Sequence, residues 1–150
     1  MKIRLAVSEE RLEELTGQLM EKGIEIDDSA DLVLSEAESF TGFLSVRGAE
    51  DGGKRHVRTE DIVFIESYGH SVEVHCMEGT YQTADRLYQL QTLLDPKQFI
   101  RISNSVIVSR AQIKDIRPTL SQKFILTMKD GSRVDVTRSY YSEFKRAIGI

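Results

Sequence analysis

The apolar positions of this chain follow two rhythms. At the start, Ile3, Leu5 and Val7 recur every second residue, which predicts a short strand. Leu12, Leu15, Leu19 and Met20 then recur three to four apart and trace one face of a helix ending near Lys22. Ser8 is placed to cap that helix, Glu9 and Glu10 fall where the exposed amides favour negative charge, and Gly23 suits a left-handed stop. Ile24 and Ile26 restart extended chain, Asp27-Asp28 reads as a solvated turn, and Ala30 to Leu34 is a further extended stretch. A lone helix this short is marginal in water, so its leucine stripe must rest on a small sheet, on the rest of the protein or on a second copy.

Residues 35–56 show a less regular rhythm, and from Asp61 it is mostly that of strands. Gly42 to Arg47 and Lys54 to Arg58 read as neighbouring strands around a turn at Glu50 to Lys54. Ile62 to Ser67 and Ser71 to Met77 flank a turn at Tyr68-Gly69-His70, and Tyr81 continues a third strand. Thr83 can cap a helix with Leu87, Leu90 and Leu94 on one side, closed by Asp95-Pro96. Phe99 to Ile102, Val106 to Val108 and Ile113 to Ile116 follow as strands. Lys123 to Met128 and Arg133 to Val136 are joined by the hairpin signal Asp130-Gly131. Thr137 or Ser139 can cap a last helix through Tyr141, Phe144 and Ile148, with one of Tyr140 and Tyr141 packing beside Phe144. Helices are too few to cover a parallel sheet on both faces. The expected fold is therefore mainly β, with packed sheets and short helices over 46–150, preceded by a small α/β segment over 1–45.

Composition fits a folded chain: 40% of the 150 residues are apolar and only 2 are proline. No window reaches the length of a membrane-spanning helix, and the N-terminal apolar run is too short for a secretory signal, so the cytoplasm is the expected location. Cys76 is the only cysteine, which excludes an internal disulfide; its place after Val72 and Val74 suggests a buried strand residue. Charge changes the picture more. Residues 1–96 hold 9 Lys and Arg against 20 Asp and Glu, and residues 97–150 hold 11 against 4. A positive field concentrated on one region suits a polyanionic partner. Against this stands an absence of reaction chemistry. The three histidines, His56, His70 and His75, show neither i,i+4 spacing nor an H-E-x-x-H motif, and His75 lies on the polar side of its strand. There is no phosphate-cradling glycine loop and no nucleophile elbow. No enzyme activity, cofactor, metal or small-molecule ligand is expected.

One stretch needs its own account: Phe99-Ile100-Arg101-Ile102-Ser103-Asn104-Ser105-Val106-Ile107-Val108-Ser109. A polar break interrupts a good apolar run beside an arginine. Together with Asp61-Ile62-Val63-Phe64-Ile65-Glu66-Ser67, Leu87 to Leu94, Ile113 to Ile116, Leu126 to Gly131 and Val136-Thr137-Arg138-Ser139-Tyr140, it resembles the LytTR family of bacterial DNA-binding domains over about two thirds of the chain. The order and spacing of these pieces carry the resemblance more than any one of them.

The resemblance implies sheets packed face to face that bind promoter DNA through loops reaching into successive major grooves. It implies base contacts from His70, Asn104 and Arg138. An asparagine amide matches an adenine edge and an arginine fork matches guanine. The other reading of Asn104 is that it only caps its own turn. Lys97, Lys114, Lys123 and Lys129 would attract the backbone, and Arg101 would either join them or hold the Asn104 turn. The family also implies double-stranded DNA with paired direct repeats, and hence a homodimer, with the leucine stripe of 1–45 as the expected dimer contact. That segment is too short for the receiver domain many members carry, so the chain resembles a receiver-less subgroup. Ser109 replaces an asparagine usual in the family, which leaves open an alternative: a protein-interaction module that sequesters another regulator without binding DNA.

Overall fold

The structure is a computed structural model that describes residues 1–36 and 40–150. It divides into two compact units, Met1–Phe40 and Thr41–Ile150. In the first, strand β1 (Lys2–Ala6) leads into helix α1 (Glu9–Glu21), followed by β2 (Glu25–Ile26) and β3 (Leu32–Ser35). The three strands form a parallel sheet in the order β2-β1-β3. The expected Ser8 cap takes another form. Its hydroxyl makes no cap bond; the Ser8 amide and hydroxyl both donate to Glu36 Oε1, at 2.8 and 2.9 Å. Those bonds hold the Glu36 carboxyl below its usual range. Gly23 does take the left-handed backbone, at φ +78°.

The second unit begins earlier than the expected 45/46 division, because β4 (Phe43–Gly48) runs across it and pairs with β5 (Lys54–Arg58). β6 (Ile62–Tyr68), β7 (Ser71–Cys76) and β8 (Gly79–Thr83) form a meander. Helix α2 (Leu87–Leu93) starts four residues after Thr83, the expected cap. Thr83 instead closes a local turn by accepting from the Asp85 amide, and Gln89 accepts from the Arg86 amide at 2.8 Å to start the helix. β9 (Phe99–Arg101) and β10 (Val106–Ser109) complete a seven-stranded sheet in the order β5-β4-β8-β7-β6-β10-β9. β11 (Ile113–Pro118), β12 (Phe124–Met128) and β13 (Arg133–Val136) form a separate antiparallel sheet. A 3₁₀ turn, Arg138–Tyr140, then precedes α3 (Tyr141–Ile148), so neither Thr137 nor Ser139 is its direct cap.

Two cores lie on opposite faces of the large sheet. On one, Phe64, Ile100, Ile102, Val106 and Val108 meet Phe124, Leu126, Met128, Val134 and Val136 of the small sheet and Phe144 of α3. On the other, Ile62, Ile65, Val72, Val74, Phe99 and Ile107 meet Leu87, Leu90 and Leu94 around α2. This explains why β6 reads as an unbroken apolar run: both its faces are covered. Ile62 pairs with Cys76 and Phe64 with His75, so Val63 is an extra residue in a bulge. The bulge lets Val63 and Phe64 serve the same core in succession. Tyr141, rather than Tyr140, stacks on Phe124 at 4.8 Å between centroids.

Candidate nucleic-acid interface

The loops that carry the expected base contacts meet at one end of the large unit. β6 and β7 turn through Tyr68, Gly69 and His70, with Gly69 at φ +61°, a backbone that a side chain resists. β10 runs antiparallel to β6, which puts Ser105 opposite Ser67, and the Ser67 amide donates to the Ser105 carbonyl at 2.7 Å. The 102–105 loop between β9 and β10 thus lies beside the His70 turn. On its far side, the Thr137 amide donates to the Ile102 carbonyl at 3.0 Å, and the Tyr140 hydroxyl donates to Asn104 Oδ1 at 3.2 Å. That brings the Arg138 turn against the same loop. His70, Asn104 and Arg138 are all exposed.

The polar break at 103–105 is organised from within. Ser103 is buried, and its Oγ accepts from the Ser105 amide at 3.2 Å. Arg101 folds its guanidinium around the loop. Nε donates to the Ser103 carbonyl at 2.9 Å, one terminal nitrogen to the Asn104 carbonyl at 2.6 Å, and the other to Gln91 Oε1 at 3.0 Å. Of the two roles open to Arg101, this geometry supplies the turn-holding one. Three of its five N–H groups are engaged, which leaves two.

The lysines separate into two groups. Lys123 immediately precedes Phe124, which pairs with Val136, so it lies at the Arg138 end of the small sheet. The loop it closes, from Thr119, presents Leu120 fully to solvent and contains Gln122 at φ 57°. Lys97, Lys114 and Lys129 lie at the opposite end. Lys97 precedes β9, Lys114 is the extra residue of a bulge between Ile113 and Asp115, and the Lys129 amide donates to the Gln112 carbonyl. A strand of four or five residues, roughly 15 Å, separates the groups. Arg110, whose amide donates to the Gln98 carbonyl, belongs to this second cationic end, and the sequence reading did not single it out.

A basic ribbon in the acidic half of the chain also escaped the sequence reading. Phe43, Ser45 and Arg47 pair with Arg58, His56 and Lys54, and all six are exposed. The signal was available: alternation along Lys54 to Arg58 puts Lys54, His56 and Arg58 on one face once β4 is known to pair with β5. Summing charge over 1–96 concealed it.

The large unit is thus a pair of face-packed β-sheets with three polar loops gathered at one end. The LytTr DNA-binding domain model matches residues 53–149, and the chain belongs to the LytTR family. A solved LytTr DNA-binding domain from Bacillus cereus superposes with a TM-score of 0.69 at 28% identity, covering 73% of this chain and 99% of that one. Sensory transduction protein LytT of Bacillus subtilis is 33% identical over 94 residues, 63% of this chain and 39% of that protein. Transcriptional regulatory protein LytR of Staphylococcus aureus is 24% identical over 144 residues, 95% of this chain and 57% of that protein. The chain thus spans about two fifths of the length of LytT and somewhat over half that of LytR. Among the described residues, no helix is long and apolar enough to cross a membrane.

Proposed function

We propose that the protein is a sequence-specific, DNA-binding transcriptional regulator acting in the cytoplasm, which reads bases with His70, Asn104 and Arg138. The observation that carries this reading is the hydrogen-bonded convergence of their three loops, through Ser67–Ser105, Thr137–Ile102 and Tyr140–Asn104. A single exposed edge built this way can present side chains to successive major grooves of one duplex. Asn104 has its Oδ1 oriented by Tyr140, which leaves the amide nitrogen to donate and the second lone pair of Oδ1 to accept from an adenine edge. Lys123 and the two remaining N–H groups of Arg101 then supply phosphate contacts at this edge. Lys97, Lys114 and Lys129 act from the other end, through the field rather than by touching the same phosphates.

Paired direct repeats would call for two copies, and the first unit supports self-association. β3 is an edge strand whose Leu32, Val33 and Leu34 are all exposed, Leu32 at 55%, and Met20 on α1 is 64% exposed. The test is fluorescence anisotropy against a fragment selected from genomic DNA, over a series of salt concentrations. Regulation through direct contact requires saturable, sequence-dependent binding that weakens steeply with salt. Binding without sequence preference, or none, favours the alternative in which the domain sequesters another regulator.

A further inference from the structure

Among the described residues one group of metal-ligating side chains lies outside the loop edge: Glu66 on β6 with Glu73 and His75 on β7. Register explains the grouping. Glu66 and Glu73 are direct cross-strand partners, and His75 follows Glu73 by two residues, so all three point from the same face. One ligand atom from each lies within 4.8 Å of the others. His75 Nε2 is 3.2 Å from Glu66 Oε1 and 3.4 Å from Glu73 Oε2. The rest of the imidazole is fixed. Its ring stacks on Phe64 at 4.2 Å between centroids, tilted by 10°, and Nδ1 lies 3.2 Å from Thr80 Oγ1.

We infer that Glu66, Glu73 and His75 bind a divalent transition-metal ion of the zinc class. Three features argue for it. Bonds of about 2.0–2.1 Å place neighbouring ligands of a tetrahedral ion roughly 3.3–3.4 Å apart, close to the 3.2 and 3.4 Å between the imidazole and the two carboxylates. Two carboxylates directly opposite on adjacent strands repel each other, and a dication offsets both charges. The Thr80 hydroxyl stands where it can accept from Nδ1–H, leaving the Nε2 lone pair directed at the carboxylates, the usual outer support of a metal-bound histidine. One nitrogen and two carboxylates suit zinc, manganese or cobalt, whereas calcium and magnesium prefer oxygen alone. Three protein ligands leave at least one position for water. The sequence could not show this group, because no two of the residues have a ligand-motif spacing and only the β6–β7 register unites them.

The rival is a protonated His75 that bridges the two carboxylates with no metal. Equilibrium dialysis of the untagged full chain against zinc chloride, with elemental analysis, separates the two. One zinc per chain is expected, and with cobalt the visible absorption of a four-coordinate N/O site. Glu66→Gln and Glu73→Gln preserve shape and abolish stoichiometric uptake, as does His75→Ala. Thr80→Val weakens binding by about tenfold or more, and His56→Ala leaves it unchanged. Should His75→Ala fail to fold, by circular dichroism, the two glutamine variants decide. Full uptake by either glutamine variant, or no saturable uptake by the unaltered protein, overturns the site.

Discussion

Arg138 is exposed at the junction of β13 and α3, and among the described residues no hydrogen bond or ion pair engages its guanidinium. Arg138→Ala is therefore expected to leave the thermal midpoint within a degree or two while removing preference for the selected fragment over a scrambled one. A loss of about 1–3 kcal/mol in discrimination is the expected size. Arg101 is different because its fork builds the Asn104 loop. Arg101→Lys keeps the charge but loses the fork. Its expected signature is weaker binding with an unchanged salt slope, whereas Lys123→Ala lowers the slope by about one. Lys129→Ala serves as the comparison from the opposite end and should alter the slope less. Cys76 gives a residue-scale test of burial. Its thiol is pushed up to about 11, chiefly by desolvation and then by Asp61 and Glu78. The thiolate fraction near pH 8 falls accordingly, so alkylation should be slow in the native protein and become fast on adding denaturant.

At the scale of elements, the small sheet and α3 stand or fall together. Phe144 is fully buried and meets Phe124 at 5.3 Å between ring centroids. Phe144→Ala is expected to cost about 3–5 kcal/mol, read by urea unfolding. The β12–β13 hairpin depends on Gly131 at φ +89°, with its amide donating to the Met128 carbonyl. Elements also show which parts of the fold were legible in the sequence. The alternation of Ser71 to Cys76, the leucine spacing of α2 and the Asp130-Gly131 turn gave their elements directly, since each is a local signal. Helix starts did not follow. Thr83 offers a good capping side chain, but Leu87 is the first residue that reaches the second core, and packing set the boundary. Ser8 likewise gives its hydroxyl to Glu36, 28 residues away, a partner no local window contains. The residues of the candidate loop edge came only from the family resemblance that the pieces around Asn104 carry, whereas the bond from Tyr140 and the Glu66–Glu73–His75 group depend on contacts between distant segments.

For the molecule as a whole, the two units divide the labour in the proposed reading. The 41–150 unit carries the loop edge, and the first unit exposes apolar side chains on β3 and α1. Leu32 and Leu34 share one face of β3 by their spacing. Leu32→Glu with Leu34→Glu is expected to shift the full chain toward monomer in sedimentation and to lower affinity for two adjacent repeats more than for one. An unchanged assembly state would remove the first unit from the dimer contact. The bond from Tyr140 to Asn104 bears on how such an edge could diversify. It ties together positions 36 residues apart in the chain. Moving the 102–105 loop alone out of this chain into another would carry Asn104 away from the Tyr140 hydroxyl that orients it, so target preference should transfer as a matched pair of segments, and Asn104→Ala and Tyr140→Phe should be non-additive in a double-mutant cycle.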